Sequence, residues 1–149
     1  MNTLRILIAE DDAVQREIIH DILRDAGYTV DAFGSPREAV SALQKTTCDL
    51  LLTDLRMPEM DGLDLLREAL RLRPELSVVV MTAYATVQTA VTAMKEGACD
   101  YLAKPFDKDE LLVVVGKALE QAELRRENRQ LRELISDTTA LGNLVGQSP

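Results

Sequence analysis

The chain has 149 residues, 46% of them hydrophobic and 28% charged, with only 7 Gly and 5 Pro. This excludes collagen-like and compositionally disordered classes and leaves room for one domain with a core plus a short appendage. The net charge of −8 resides in residues 1–110, which hold 20 Asp/Glu against 12 Lys/Arg, while residues 111–149 balance at 5 against 5; such a domain repels a phosphate backbone and suits a cation better.

Short apolar runs alternate with helix-length amphipathic ones, the pattern of a parallel sheet covered on both faces. Leu4 to Ala9 predicts a first strand, and Val14, Ile18, Ile22 and Ala26, recurring every fourth residue, predict a helix closed by Gly27. Thr29 to Phe33 reads as a second strand, and Ser35-Pro36 as a cap followed by proline at the first helical position. Asp49 to Thr53 predicts a buried central strand, Asp61-Gly62 the start of the next helix, and Pro74 its end. Leu76 to Thr82, with three consecutive valines, is the most strand-like run. A helix from Thr86 to Glu96 stopped by Gly97 and a short edge strand, Tyr101 to Ala103, complete five repeats.

From Lys108 the chain reads helical to about Ile135, 28 residues, which at the α-helical rise reaches about 42 Å, longer than one domain face. Leu111, Leu112, Val115, Ala118 and Leu119 suit a sheet-covering helix. Beyond them Leu124, Asn128, Leu131 and Ile135 follow alternating steps of four and three, a short heptad pattern with Asn128 at an a position, which favours a dimer in fixed register. A solvated helix carrying a few chance apolar residues is the competing reading. The expected organisation is a main domain at 1–120 and a dimeric linker helix at 121–139, with 140–149 reading as a linker beyond it.

A Rossmann-type nucleotide site needs glycines after the first strand, where this chain has Glu10-Asp11-Asp12, and there is no GxxxxGK[ST] pattern. The third strand delivers Asp54 to the same edge of the sheet if the strand order is 2-1-3-4-5. Clustered carboxylates require a proton or a cation, and an oxygen-only, solvent-open site suits Mg²⁺. The alternative is that these acids cap the first helix, with Asp12 as its N-cap. Thr82 and Lys104 fall at the ends of the fourth and fifth strands and add a hydroxyl and an ammonium to that edge. The set suits phosphoryl chemistry: Asp54 as nucleophile, Mg²⁺ held by Asp11 or Asp12 with Asp54 and the Met57 backbone carbonyl, and Lys104 and Thr82 holding phosphoryl oxygens. The single histidine, His20, reads as solvated on the polar side of its helix.

Glu10-Asp11-Asp12, Asp54 in DLRMPEMDG, Thr82-Ala83 and Lys104-Pro105-Phe106, in order at successive strand ends, resemble the response regulator receiver family of two-component signalling. The resemblance covers residues 3 to 120. It implies a three-layer α/β, (βα)5 fold with a five-stranded parallel sheet in order 2-1-3-4-5 and an extended C-terminal helix. It implies phosphorylation of Asp54 by a sensor histidine kinase, with Mg²⁺ held by Asp11, Asp12 and Asp54, Glu10 being a neighbour of the acidic pair. It further implies a switch in which Asp54, once phosphorylated, recruits the Thr82 hydroxyl and Tyr101 turns inward. Such a domain is regulatory and not an enzyme with turnover.

The tail LRRENRQLRELI and LVGQSP resembles the linker and first residues of the ATPase domain in nitrogen-regulator-C-type activators of sigma-54 RNA polymerase. Contacts with polymerase and promoter DNA then belong to domains outside these residues, and the homodimer to the linker. A different output domain and a stand-alone phosphorelay receiver are the alternatives. An Mg²⁺-dependent phosphatase needs a further acid to protonate its leaving group, and none is well placed; a pseudo-receiver would lack Asp54 or Lys104, and both are present. Cys48 and Cys99 lack metal-ligand spacing, no secretory segment opens the chain, and its apolar runs are too short to cross a membrane, so the cytoplasm is the expected location.

Overall fold

The computed structural model describes residues 4–57, 59–83 and 86–142, and beyond residue 124 it describes side chains only at 125, 127, 128 and 131. The elements run β1 (Arg5–Ala9), α1 (Ala13–Asp25), β2 (Thr29–Phe33), α2 (Pro36–Lys45), β3 (Leu50–Asp54), α3 (Gly62–Leu72), β4 (Ser77–Thr82), α4 (Val87–Lys95), β5 (Asp100–Ala103) and α5 (Lys108–Gly142). All four strand pairings are parallel, in the order β2-β1-β3-β4-β5. Fold class and strand order agree with the sequence expectation.

Strand alternation divides the interior into two cores. Leu7, Ala9, Leu51, Val78 and Val80 face one side, where they meet Ala39 and Leu43 of α2, Leu65, Leu66 and Ala69 of α3, and Ala93 of α4. Ile6, Ile8, Leu50, Leu52, Val79 and Met81 face the other and meet Ile19 and Leu23 of α1 and Leu111, Val115, Ala118 and Leu119 of α5. Because the three central strands are buried on both faces, they read as continuous apolar runs and not as alternating ones.

Local chemistry sets the boundaries. Ser35 caps α2 with Pro36 at its first turn, Asp61 caps α3, and Thr86 and Thr89 form a reciprocal capping box at α4. Gly27 and Gly97 end their helices with φ of +102° and +110°, a conformation glycine adopts without a Cβ clash.

Two expectations change. In α1 the buried pair is Ile19 and Leu23, while Val14 and Ile18 are 69% and 53% exposed; apolar residues occupy two sides of this helix, and spacing alone chose the outer one. His20, accordingly, is half-buried beside Asp21, its Nδ1 3.1 Å from the carboxylate. Helix α5 passes through Gly116 without a break and continues as backbone to Gly142. Its contact with the domain persists past residue 120: Ala122 is buried, and the Arg125 guanidinium donates to the Ser77 hydroxyl, which itself donates to the Ala118 carbonyl at 3.2 Å. Leu124 and Leu131 are 59% and 58% exposed and Asn128 is exposed. The Ile135 side chain and the LVGQSP segment lie outside the described residues. Among the described residues, no helix is long and apolar enough to cross a membrane.

Candidate functional site

The sheet register brings four strand ends to one level. Ala9 pairs with Thr53, Asp54 with Met81, and Thr82 with Ala103. The residues at or just past these positions, Glu10, Asp54, Thr82 and Lys104, therefore surround one point at the C-terminal edge, where parallel sheets place their sites. The backbone secures each strand end: Glu10 N–H donates to Phe33 O at 3.0 Å, Leu55 N–H to Met81 O at 2.8 Å, and Lys104 N–H to Thr82 O at 2.8 Å.

Lys104 is the electrostatic centre. Its Nζ donates to Glu10 Oε1 at 2.6 Å and to Asp54 Oδ2 at 2.9 Å, with its side chain only 11% exposed. Burial alone would push the ammonium's pKa down, but the two charge-assisted hydrogen bonds outweigh it and hold the value above the ordinary lysine range. Glu10 shifts upward as well, first because burial disfavours its charged form, with the Asp54 charge adding to this; Lys104 and the Asp12 N–H oppose the shift. Asp54 is nearly buried, and its Oδ1 accepts from Arg56 N–H at 3.1 Å. Thr82 is also buried.

The structure gathers Glu10, Asp11 and Asp54 so that one carboxylate oxygen of each lies within 4.8 Å of the other two. Glu10 thus joins the cluster directly, where the sequence reading made it only a neighbour of the acidic pair. Asp12 caps α1: its Oδ1 accepts from Val14 N–H at 3.0 Å and Gln15 N–H at 3.1 Å, and its own N–H donates to Glu10 Oε2 at 3.1 Å. The capping alternative weighed for Asp12 is the geometry observed. Met57, on the loop after β3, is partly buried against the core. Tyr101 is half-buried in β5 and packs against the core cluster that includes Ala93 and Ala98.

The donor set fits a divalent cation. Three carboxylates against one ammonium leave a formal charge of about −2 facing solvent through exposed Asp11, and all the ligand atoms are hard oxygens.

A receiver-domain family model, described as the response regulator receiver domain, matches residues 6–116. The chain belongs to the response regulator receiver family. It is 36% identical over 144 residues to the C4-dicarboxylate transport transcriptional regulatory protein DctD of Rhizobium meliloti, covering 97% of this chain and 31% of that protein. It is 37% identical over 144 residues to the DNA-binding transcriptional regulator NtrC of Salmonella typhimurium, covering 97% of this chain and 30% of that one. The chain spans about a third of the length of these curated relatives. Among solved structures it resembles NtrX of Brucella abortus, with a TM-score of 0.83 and 32% identity over 87% of this chain and 30% of that one. It also resembles the beryllofluoride-activated NtrC4 receiver domain dimer, with a TM-score of 0.76 and 30% identity over 79% of this chain and 98% of that one. Receivers of this family are regulatory modules.

Three features escaped the sequence reading. Glu10 was legible as a carboxylate, but its ion pair with a residue 94 positions away was not. Arg16 reaches Glu10 O with its Nη1 at 2.9 Å, a contact that no motif announces. Gly62 lies so close to the β3 end that a Cβ there would sit 2.6 Å from Leu55 Cα, a requirement that the Asp61-Gly62 pair only hinted at.

Proposed function

We propose that this receiver accepts a phosphoryl group on Asp54 from a phosphohistidine of a sensor kinase. The observation that carries this reading is the convergence of Asp54, Lys104, Thr82 and two further carboxylates at one sheet edge. An Asp54 carboxylate oxygen attacks phosphorus, the P–N bond breaks, and the imidazole leaves with the bond's electron pair and takes up a proton, so that an acyl phosphate forms. Glu10, Asp11 and Asp54 would hold Mg²⁺, together with a backbone carbonyl of the loop after Asp54, the position assigned to Met57; Asp12 contributes by fixing the start of α1. When bound, Mg²⁺ would supply positive charge to offset that of the transferring phosphoryl group. Lys104 exchanges its bond to Asp54 Oδ2 for one to a phosphoryl oxygen, and the Thr82 hydroxyl closes on another. Movement of Thr82 at the end of β4 favours the inward packing of Tyr101, repacking the surface formed by α4, β5 and α5.

Similarity to transcriptional regulators over 144 residues, and so past the receiver, supports a sigma-54-dependent activator as the whole protein. In it, polymerase and promoter DNA are contacted by other domains. Exposed Leu124, Asn128 and Leu131 form the seam of a dimeric linker at 121–139, in a heptad pattern that the sequence extends to Ile135. A cytoplasmic location follows from this role.

The experiment is labelling with a small phosphodonor in the presence of Mg²⁺, with light scattering on the same samples. Wild type takes up one hydroxylamine-labile phosphoryl group and changes its oligomeric state; Asp54→Asn does neither. Undiminished labelling of Asp54→Asn overturns the assignment of the acceptor, and a scattering profile identical in both states overturns the coupling of phosphorylation to assembly.

A further inference from the structure

We propose that Arg16 is a positioning residue for the carboxylate cluster and that Gly34 is the opening through which it acts; this rests on the reading of Glu10, Asp11 and Asp54 as the cation site.

Glu10 is 1% exposed and is held at four points: its N–H by Phe33 O, one carboxylate oxygen by Lys104, the other by Asp12 N–H, and its carbonyl by Arg16 Nη1 at 2.9 Å. The first three fix the strand end and the Glu10 side chain. Only the last acts on the peptide linking Glu10 to Asp11. That unit is planar, so fixing the direction of its carbonyl fixes the Cα–Cα axis between the two acids and places the Asp11 Cα from which its side chain departs. Asp11 has particular need of this constraint: it is exposed, and its place in the cluster depends on how the backbone aims it.

Arg16 can serve because α1 is anchored beside it. Asp12 caps the helix, and Arg16 N–H donates to Asp12 O at 2.9 Å, closing a ring from Glu10 through Asp12 to Arg16 and back to the Glu10 carbonyl. The guanidinium passes over Gly34, at the end of β2. A Cβ at position 34 would lie 2.5 Å from Nη1 and 3.2 Å from the guanidinium carbon. No positive φ accounts for the glycine there, in contrast to Gly27 and Gly97. What its missing side chain provides is room for the arginine.

This gives a perturbation that leaves Arg16 chemically intact. Gly34→Ala meets only the far end of a flexible side chain, so the fold accommodates it by displacing the guanidinium from Glu10 O. The test is isothermal titration calorimetry with MgCl₂ on wild type, Gly34→Ala, Arg16→Gln, Arg16→Lys and the double variant Gly34→Ala/Arg16→Gln, with the thermal midpoint of each metal-free protein by circular dichroism. Supporting partners of metal ligands typically carry about tenfold or more in metal affinity. The expected result is a roughly tenfold weaker Mg²⁺ Kd for Gly34→Ala and for Arg16→Gln, no further loss in the double variant, and partial recovery in Arg16→Lys. Wild-type Kd values in variants whose thermal midpoints fall would reduce Arg16 to a structural contact and overturn the proposal. A wild type that binds no Mg²⁺ overturns the cation site and the proposal together, so the two failures are distinguishable.

Discussion

Replacing Lys104 with methionine keeps most of the side chain's length and removes its charge. Two buried or nearly buried carboxylates, Glu10 and Asp54, then lose hydrogen bonds of 2.6 and 2.9 Å to an ammonium that is 11% exposed. Breaking a fully buried ion pair costs about 3–5 kcal/mol. The cluster opens to solvent at Asp11, so the lower end applies, about 3 kcal/mol at neutral pH without metal. For a domain of this size that lowers the thermal midpoint by about 10 °C. The sign of the pH dependence is fixed. Losing the ammonium removes a charge that holds the Glu10 carboxyl down, so its folded-state pKa rises further above the unfolded value, the native state binds more protons and the deficit shrinks as pH falls. Mg²⁺ at ten times its Kd should restore about 1.4 kcal/mol. Thermal denaturation of Lys104→Met and wild type at pH 7.5 and 5.5, with and without MgCl₂, measures all three effects. Equal midpoints at pH 7.5, or a deficit unchanged between the two pH values, would refute the role of Lys104 as counter-ion to the cluster.

Two other perturbations probe the same edge. Glu10→Gln removes a carboxyl whose pKa the fold raises, chiefly by burial; as pH rises above the ordinary carboxylate value, the wild type should lose stability relative to the variant by up to about 1.4 kcal/mol per pH unit until the folded-state pKa is passed, measured by urea denaturation across pH. A constant difference across that range would show that Glu10 is not shifted upward. Gly62→Ala places a Cβ 2.6 Å from Leu55 Cα and 2.9 Å from Leu55 O, backbone atoms that cannot swing aside; it should cost about 3 kcal/mol of stability, lower the thermal midpoint by about 10 °C and slow phosphodonor labelling of Asp54, whereas a wild-type midpoint would contradict the close approach.

The sequence reading recovered the elements because their signals are local. Ser35-Pro36, Asp61, Thr86, Gly27 and Gly97 act on their own helix ends through hydrogen bonds or φ values within a few residues. Where two local patterns competed, it failed: α1 carries apolar residues on two sides, and choosing Val14 and Ile18 over Ile19 and Leu23 required knowing where the sheet lies. The acidic run shows the same limit. Glu10, Asp11 and Asp12 are equivalent as text, and the pleat at the β1 end decides that Glu10 turns inward to Lys104 while Asp12 turns to cap the helix.

By itself, then, the sequence determined the order of strands and helices, the sheet edge at which the acids gather, and the residue types available for phosphoryl chemistry, since these follow from periodicity, capping and composition. Only the tertiary structure decided which carboxylates share one cation-sized space, that Lys104 neutralises two of them from 94 and 50 residues away, and that Gly34 makes room for Arg16. Those are distances between atoms remote in sequence, and they exist only once the sheet register has closed.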